Sequence, residues 1–253
     1  MTTVRACLST LFILLATFVG SWIALLLRLF DKTGDLVVDL ARLWSRALLG
    51  FGGVKVTVEW RAPIAKDGAY VFIANHESTV DIWALLAALP FRMRMIAKKQ
   101  LGSIPLFGWA MRAGRFMFID RANALAARRT IDEAKCRIRD GEKVMLYPEG
   151  TRSRDGKLGP FKKGGFHLAI DAGVAIVPVA ITGARPCMPA GSFLLRPGHV
   201  HIVVLEPIPT AGLTDQDRQE LVEKVRGAIA RELGQPADPD GSAAAPAAAA
   251  VSR

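Results

Sequence analysis

The sequence predicts an α/β domain with a mainly parallel central sheet flanked by helices, preceded by an N-terminal membrane-associated helical segment. Three observations carry that prediction. From Val54 onward, short runs rich in β-branched residues alternate with helical patterns, the order that builds a parallel sheet. Four of these runs end directly in polar residues, as strands do when their carboxyl ends form one rim. Ahead of them, residues 6–27 carry no charged side chain and are long enough to span a bilayer core.

Arg5 and Arg28 bracket that apolar run. A signal peptide is the competing reading, but the run is long for one and lacks a clear small-x-small cleavage site. Gly20-Ser21 permits a break, so a re-entrant or interfacial helical hairpin is the other arrangement. Arg28, Lys32, Arg42 and Arg46 outweigh Arg5. The positive-inside tendency then puts the body of the chain in the cytoplasm, against the inner membrane if the source is bacterial. Residues 35–49 continue as an amphipathic helix that rests on the membrane or packs on the domain, and Gly50 to Gly53 stop it.

The period then changes. Val54, Val56 and Val58 alternate with Lys55, Thr57 and Glu59, which predicts a half-buried strand. Further strands are expected at Tyr70–Ala74, Met93–Ala97, Arg115–Ile119, Lys143–Tyr147, Ala175–Ile181 and His199–Leu205. Helices are expected at Val80–Leu89, Leu106–Ala113, Ala124–Arg139, Phe166–Ala172 and Asp215–Leu233, with Asn123 and Thr214 as N-caps. From Gln235 the chain is Ala/Pro-rich without periodicity, which predicts a disordered tail. The expected division is an anchoring segment over 1–50, an α/β domain over 51–234 and a tail over 235–253.

Composition narrows the function classes. An apolar fraction of 51% allows a sizeable core or membrane contact, and a net charge of +10 points to an anionic partner. Three scattered cysteines form neither a disulfide framework nor a metal knuckle, and the four histidines match no zinc pattern. No motif requires a metal or a bound cofactor. No helix-turn-helix, zinc or aromatic RNA-binding signature is present, which argues against a nucleic-acid partner.

Asn75-His76-Glu77-Ser78-Thr79-Val80-Asp81 sits between an expected strand and an expected helix. In one continuous helix, residues five apart point about 140° apart, which is poor for a His–Asp contact. A bend between them lets the Asp81 carboxylate reach back to the His76 imidazole, orienting it as a general base requires. Ser78-x-x-Asp81 equally matches a helix capping box, which needs no catalysis. The other strand ends carry Lys98-Lys99, Asp120-Arg121 and Pro148-Glu149-Gly150-Thr151-Arg152-Ser153. If the strands run parallel, these converge as a His–Asp pair, several cations and a glycine-containing turn. Such a rim suits a phosphorylated substrate whose hydroxyl must be deprotonated.

At these residues the chain resembles the glycerophospholipid acyltransferases. Residues Asn75 to Asp81 are similar to the family's NHxSxxD block, with Glu77 where Gln is common. Gly114 to Arg121 resembles the block ending in FIDR. Tyr147 to Ser153 resembles FPEGTRS, with Tyr for the first Phe, and Ile176 to Ile181 resembles a VPVxI-type strand. The blocks stand in family order and match the 1-acyl-sn-glycerol-3-phosphate acyltransferase family most closely.

The resemblance implies transfer of a fatty acyl chain from acyl-CoA or acyl carrier protein to the sn-2 hydroxyl of lysophosphatidate at a membrane. It implies His76 as general base held by Asp81, with direct attack and no acyl-enzyme. It implies acceptor binding by Glu149, Gly150, Thr151 and Arg152, with backbone amides near Gly150 as candidate oxyanion donors. Arg121, which closes the second block, is a second phosphate candidate, and the strand-end position adds Lys98 as another. Another lysophospholipid or lysolipid acceptor is the enzymatic alternative. A non-catalytic basic membrane-binding protein is the other class, and it needs no His–Asp pair.

Overall fold

The computed structural model describes residues 2–120 and 122–236. Most of the expected tail, and Arg121, therefore lie outside the described residues. Helix α1 (Thr2–Phe30) runs unbroken and is joined at Gly34 to α2 (Asp35–Gly52), which packs antiparallel beside it. The break that Gly20-Ser21 permits does not occur. Ser21 Oγ donates to the Thr17 carbonyl at 2.7 Å, and Gly20 faces Trp44 of α2. The turn falls instead at Asp31, whose carboxylate accepts the Thr33 and Leu36 amides, each at 2.8 Å.

Seven strands follow: β1 (Val54–Trp60), β2 (Val71–Ala74), β3 (Met93–Lys98), β4 (Met117–Ile119), β5 (Lys143–Leu146), β6 (Ile176–Thr182) and β7 (Gly198–Val204). Their helices are α3 (Thr79–Ala88), α4 (Lys99–Gly102), α5 (Phe107–Ala113), α6 (Ala124–Arg139), α7 (Gly164–Ala172), α8 (Ala184–Cys187) and α9 (Arg218–Glu232). The sheet order is β1-β7-β6-β2-β5-β3-β4. Strands β6, β2, β5, β3 and β4 are mutually parallel, so the expected mainly parallel sheet forms. Strand β7 runs antiparallel to β6 and carries β1 parallel to itself. The β6–β7 connection runs over residues 183–197, and its one described helix, α8, is four residues long.

Strand β2 is buried along its whole length, the mark of a central strand covered on both faces. Phe72 and Ala74 join one core cluster with α2 and α3, while Val71 and Ile73 join the other with α6, α7 and α9. The expected strand from Arg115 starts late, at Met117, because Arg115 adopts φ +59° and turns the chain into the strand. Gly183 ends β6 at φ +81°, and a Cβ there would lie 2.1 Å from the His199 carbonyl oxygen, so only glycine permits the strand to turn back.

Helix α1 is more than an appended anchor. Phe12, Ile13 and Ala16 pack on the main core, and Phe12 stacks on Phe51 with ring centroids 4.2 Å apart. Its outer face leaves Leu14, Phe18 and Trp22 more than half exposed. Residues Cys7–Phe30 are long and apolar enough to cross a membrane, and 11% of that stretch is buried. A continuous apolar face of this kind fits membrane association.

Candidate active site

The chain leaves β2 at Ala74 and enters α3 at Thr79, so Asn75 to Ser78 form the loop at the carboxyl end of the central parallel strand. Asn75 is 2% exposed and clamps that loop to β6. Its amide nitrogen donates to the Ile181 carbonyl at 2.8 Å, and its oxygen accepts the Ile181 amide at 2.7 Å. Sequence reasoning gave Asn75 no role, because no spacing marks which residue bridges two strand ends.

The loop bends as the His–Asp reading requires. His76 Nδ1 lies 2.8 Å from Asp81 Oδ2, with His76 partly exposed and Asp81 fully buried. The same Asp81 oxygen accepts the Glu77 amide at 2.7 Å and the Ser78 amide at 2.8 Å. Ser78 Oγ accepts the Val80 amide at 3.1 Å and donates to the Met188 carbonyl at 2.6 Å. The capping box and the His–Asp pair are therefore both present, and they share one carboxylate oxygen. A carboxylate can only accept, so Nδ1 carries the proton and Nε2 keeps its lone pair for a substrate hydroxyl.

Other groups hold the ring and its loop. The imidazole stacks on Tyr147 at a centroid distance of 4.0 Å. The Tyr147 hydroxyl is buried without a partner among the described residues. Burial, then the Asp81 charge, pushes that phenol well above its usual range. Ser153 N–H donates to the His76 carbonyl at 2.7 Å.

The structure turns the Glu149 carboxylate to the backbone of the loop. Its Oε1 accepts the His76 amide at 2.8 Å and its Oε2 accepts the Gly159 amide at 3.0 Å. Glu149 thus braces the backbone under the base. The Gly150 amide is likewise used inside the turn, donating to the Tyr147 carbonyl at 3.2 Å. Thr151 is exposed at the rim, and Arg152 donates to the Thr79 hydroxyl at 2.8 Å. The Glu149–Arg152 ion pair that the turn sequence permits does not appear among the described residues.

The strand register places Lys98. Phe72 and Met95 both pair with Met145, so three residues on Lys98 stands level with Asn75. The separation is two strand spacings, roughly 10 Å. Lys98 is exposed on that rim, while neighbouring Lys99 pairs with Asp120 at 2.9 Å. Two charges used for the membrane-side argument have another task. Arg42 donates to the Leu89 carbonyl at 3.1 Å and Arg46 to the Ala87 carbonyl at 3.0 Å, capping the C-terminus of α3. Among the described residues, no His, Cys, Asp and Glu group could hold a metal ion.

Acids crowd the base. Burial, then the Asp81 charge, pushes Glu77 up to about 7, with Arg185 opposing the shift. Burial also raises Glu149, against the pull of its two amide donors. The folded state therefore favours protonated Glu77. Its contribution to stability is full below the ordinary value of 4.5 and is lost as pH rises through about 7. Glu77→Gln should raise the melting temperature at pH 8.5 and leave it unchanged near pH 4.5. The expected rise is about 2–4 °C, allowing for the partial solvent exposure of the group. Thermal melts at the two pH values read this directly, and an equal shift at both would place the effect elsewhere.

The Acyltransferase family profile matches residues 55–182, from β1 to the end of β6. The chain is 34% identical over 215 residues to human 1-acyl-sn-glycerol-3-phosphate acyltransferase beta, covering 84% of this chain and 77% of that protein. It is 34% identical over 177 residues to the 1-acyl-sn-glycerol-3-phosphate acyltransferase of Saccharomyces cerevisiae, covering 69% of this chain and 58% of the yeast protein. Its fold is similar to the crystal structure of the 1-acyl-sn-glycerophosphate acyltransferase of Thermotoga maritima. The TM-score is 0.78 at 28% identity, over 92% of this chain and 97% of the other.

Proposed function

This chain belongs to the 1-acyl-sn-glycerol-3-phosphate acyltransferase family, and on that premise we propose that it acylates the sn-2 hydroxyl of lysophosphatidate to give phosphatidate, using His76 as general base. The observation that carries the proposal is the 2.8 Å contact between His76 Nδ1 and a buried Asp81 at the carboxyl end of the central strand. Nε2 takes the hydroxyl proton as the oxygen attacks the thioester carbonyl. The thiolate leaves, and the imidazolium returns the proton to it. Asp81 supports the positive charge on the ring during transfer. No GxSxG elbow offers a nucleophile for an acyl-enzyme, which supports direct attack. Arg152, Lys98 and Arg121 supply cations for the acceptor phosphate, and Thr151 borders it at the rim.

We place the enzyme on the membrane surface through the outer face of α1, with the α/β domain on the cytoplasmic side. Arg28 and Lys32 at the inner end of α1 support that side. Replacing Leu14, Phe18 and Trp22 together by Glu should move most of the protein from the membrane to the soluble fraction while the domain keeps its fold. Each exposed carboxylate opposes insertion by about 2–3 kcal/mol. Sedimentation with vesicles checks this, and undiminished pelleting would remove α1 as the anchor.

The substrate assignment is tested with purified protein, radiolabelled acyl thioesters of coenzyme A and of carrier protein, and a panel of lysophospholipids. A kcat/KM at least about tenfold higher for lysophosphatidate than for the other acceptors is expected, from loss of a charge-assisted phosphate contact. Preference for another lysolipid would replace the acceptor and retain the chemistry.

A further inference from the structure

A second group of cations lies on the other side of the base from Lys98. A cavity of 560 Å³ is lined by Glu77, Arg154, Gly156, Gly183, Arg185 and Pro189 among others. Its lining is tied to His76 through two connections. Glu77 is the next residue, and Arg154 follows Ser153, whose amide donates to the His76 carbonyl at 2.7 Å. Arg185 stands in α8, directly after β6, whereas Lys98 ends β3, and β2 lies between them in the sheet.

The two guanidiniums are mounted on one ordered unit. Arg185 Nη1 donates to the Asp155 carbonyl at 2.7 Å, tying α8 to the loop that bears Arg154. That loop is closed by the Gly156 amide on Ser153 Oγ and the Lys157 amide on Asp155 Oδ1, each at 3.0 Å. Gly156 makes room for the crossing, since a Cβ there would lie 2.9 Å from Arg185 Nη1. Among the described residues, no hydrogen bond or ion pair engages the Arg154 side chain, so a charged donor is held at the mouth of the cavity.

The reaction brings two phosphorylated molecules to one histidine. The acceptor phosphate sits on the carbon next to the one that bears its reacting hydroxyl and must be met close to the base. The donor carries its phosphate at the far end of a pantetheine arm, whether that arm belongs to coenzyme A or to a carrier protein. We propose that the Arg154–Arg185 cavity binds the phosphate of the donor's phosphopantetheine arm, with the thioester reaching from there to His76. The assignment rests on the acyl-transfer reading above. Two guanidiniums can each offer a forked pair of N–H donors to a phosphate. Glu77, half neutral near pH 7, adds less than one negative charge to the cavity wall.

The test measures binding, so it does not depend on turnover. Desulfo-coenzyme A and a phosphopantetheine-bearing carrier protein are titrated into the full chain, with apo-carrier as control. The ligands are compared on the wild type, Arg154→Ala, Arg185→Ala and the conservative Arg185→Lys. Binding of the arm should weaken roughly tenfold or more with each alanine, and in part with lysine, while lysophosphatidate binding stays within about twofold. Weakening with coenzyme A alone, or with both ligands, identifies which donor uses the cavity. Unchanged donor binding in the variants would overturn the proposal. So would a wild type that binds neither donor, or a loss confined to lysophosphatidate. A chain that binds the arm as described yet transfers no acyl group would refute the catalytic reading alone.

Discussion

Asp81→Asn should lower turnover by about 10²–10⁴-fold while the protein stays folded, the range that a compromised general base produces. The structure explains why the two effects separate. Asp81 Oδ2 accepts three hydrogen bonds, from the His76 ring and from the Glu77 and Ser78 amides. An asparagine oxygen can occupy the same point, keep the cap and keep the His76 tautomer. It brings no negative charge, so the imidazolium formed during proton transfer loses its support. The new NH₂ falls where Asp81 Oδ1 already lacks a partner. Asp81→Ala should match the asparagine variant in activity and add a structural penalty. It removes the cap and leaves two loop amides unpaired, a loss of about 2–4 kcal/mol. Steady-state rates and chemical denaturation of the two variants separate the roles. Asparagine turnover near the wild-type rate would reduce Asp81 to a capping residue.

Asn75→Ala should lower stability by about 2–5 kcal/mol, because it strands a buried amide and a buried carbonyl that the side chain now satisfies together. In a chain of this size that corresponds to a fall in melting temperature of about 10 °C. Among the described residues, the two bonds to Ile181 are the ones that tie this loop to β6, and they set the height of His76 above the sheet. Activity should therefore fall as well, even below the melting transition. A melting temperature within about 2 °C of wild type would mean that water satisfies both groups.

The fold was legible where period and length agreed. The alternation after Val54 located every described strand within a few residues. Direction was harder to read: β7 runs antiparallel to β6, and the strand pattern alone carries no sign of that. At the site, His76 and Asp81 were legible because their spacing needed a bend and a strand–helix junction supplied one. The two readings of Asp81 were alternatives in the sequence and are simultaneous in the fold, since one oxygen serves both. The hydrogen bonds of Glu149 to the loop backbone were not legible, because a motif names a residue type without saying which way its carboxylate turns. Arg42 and Arg46 counted as free charges until α3 brought its carbonyls to them.

Transfer of a labelled acyl chain to lysophosphatidate by the wild type and by folded His76→Ala is the measurement closest to the central claim. Wild type should form phosphatidate, and His76→Ala should lose about 10³-fold or more in kcat with its melting temperature preserved. A folded His76→Ala that retains turnover within about tenfold of wild type would contradict the account and place the base elsewhere.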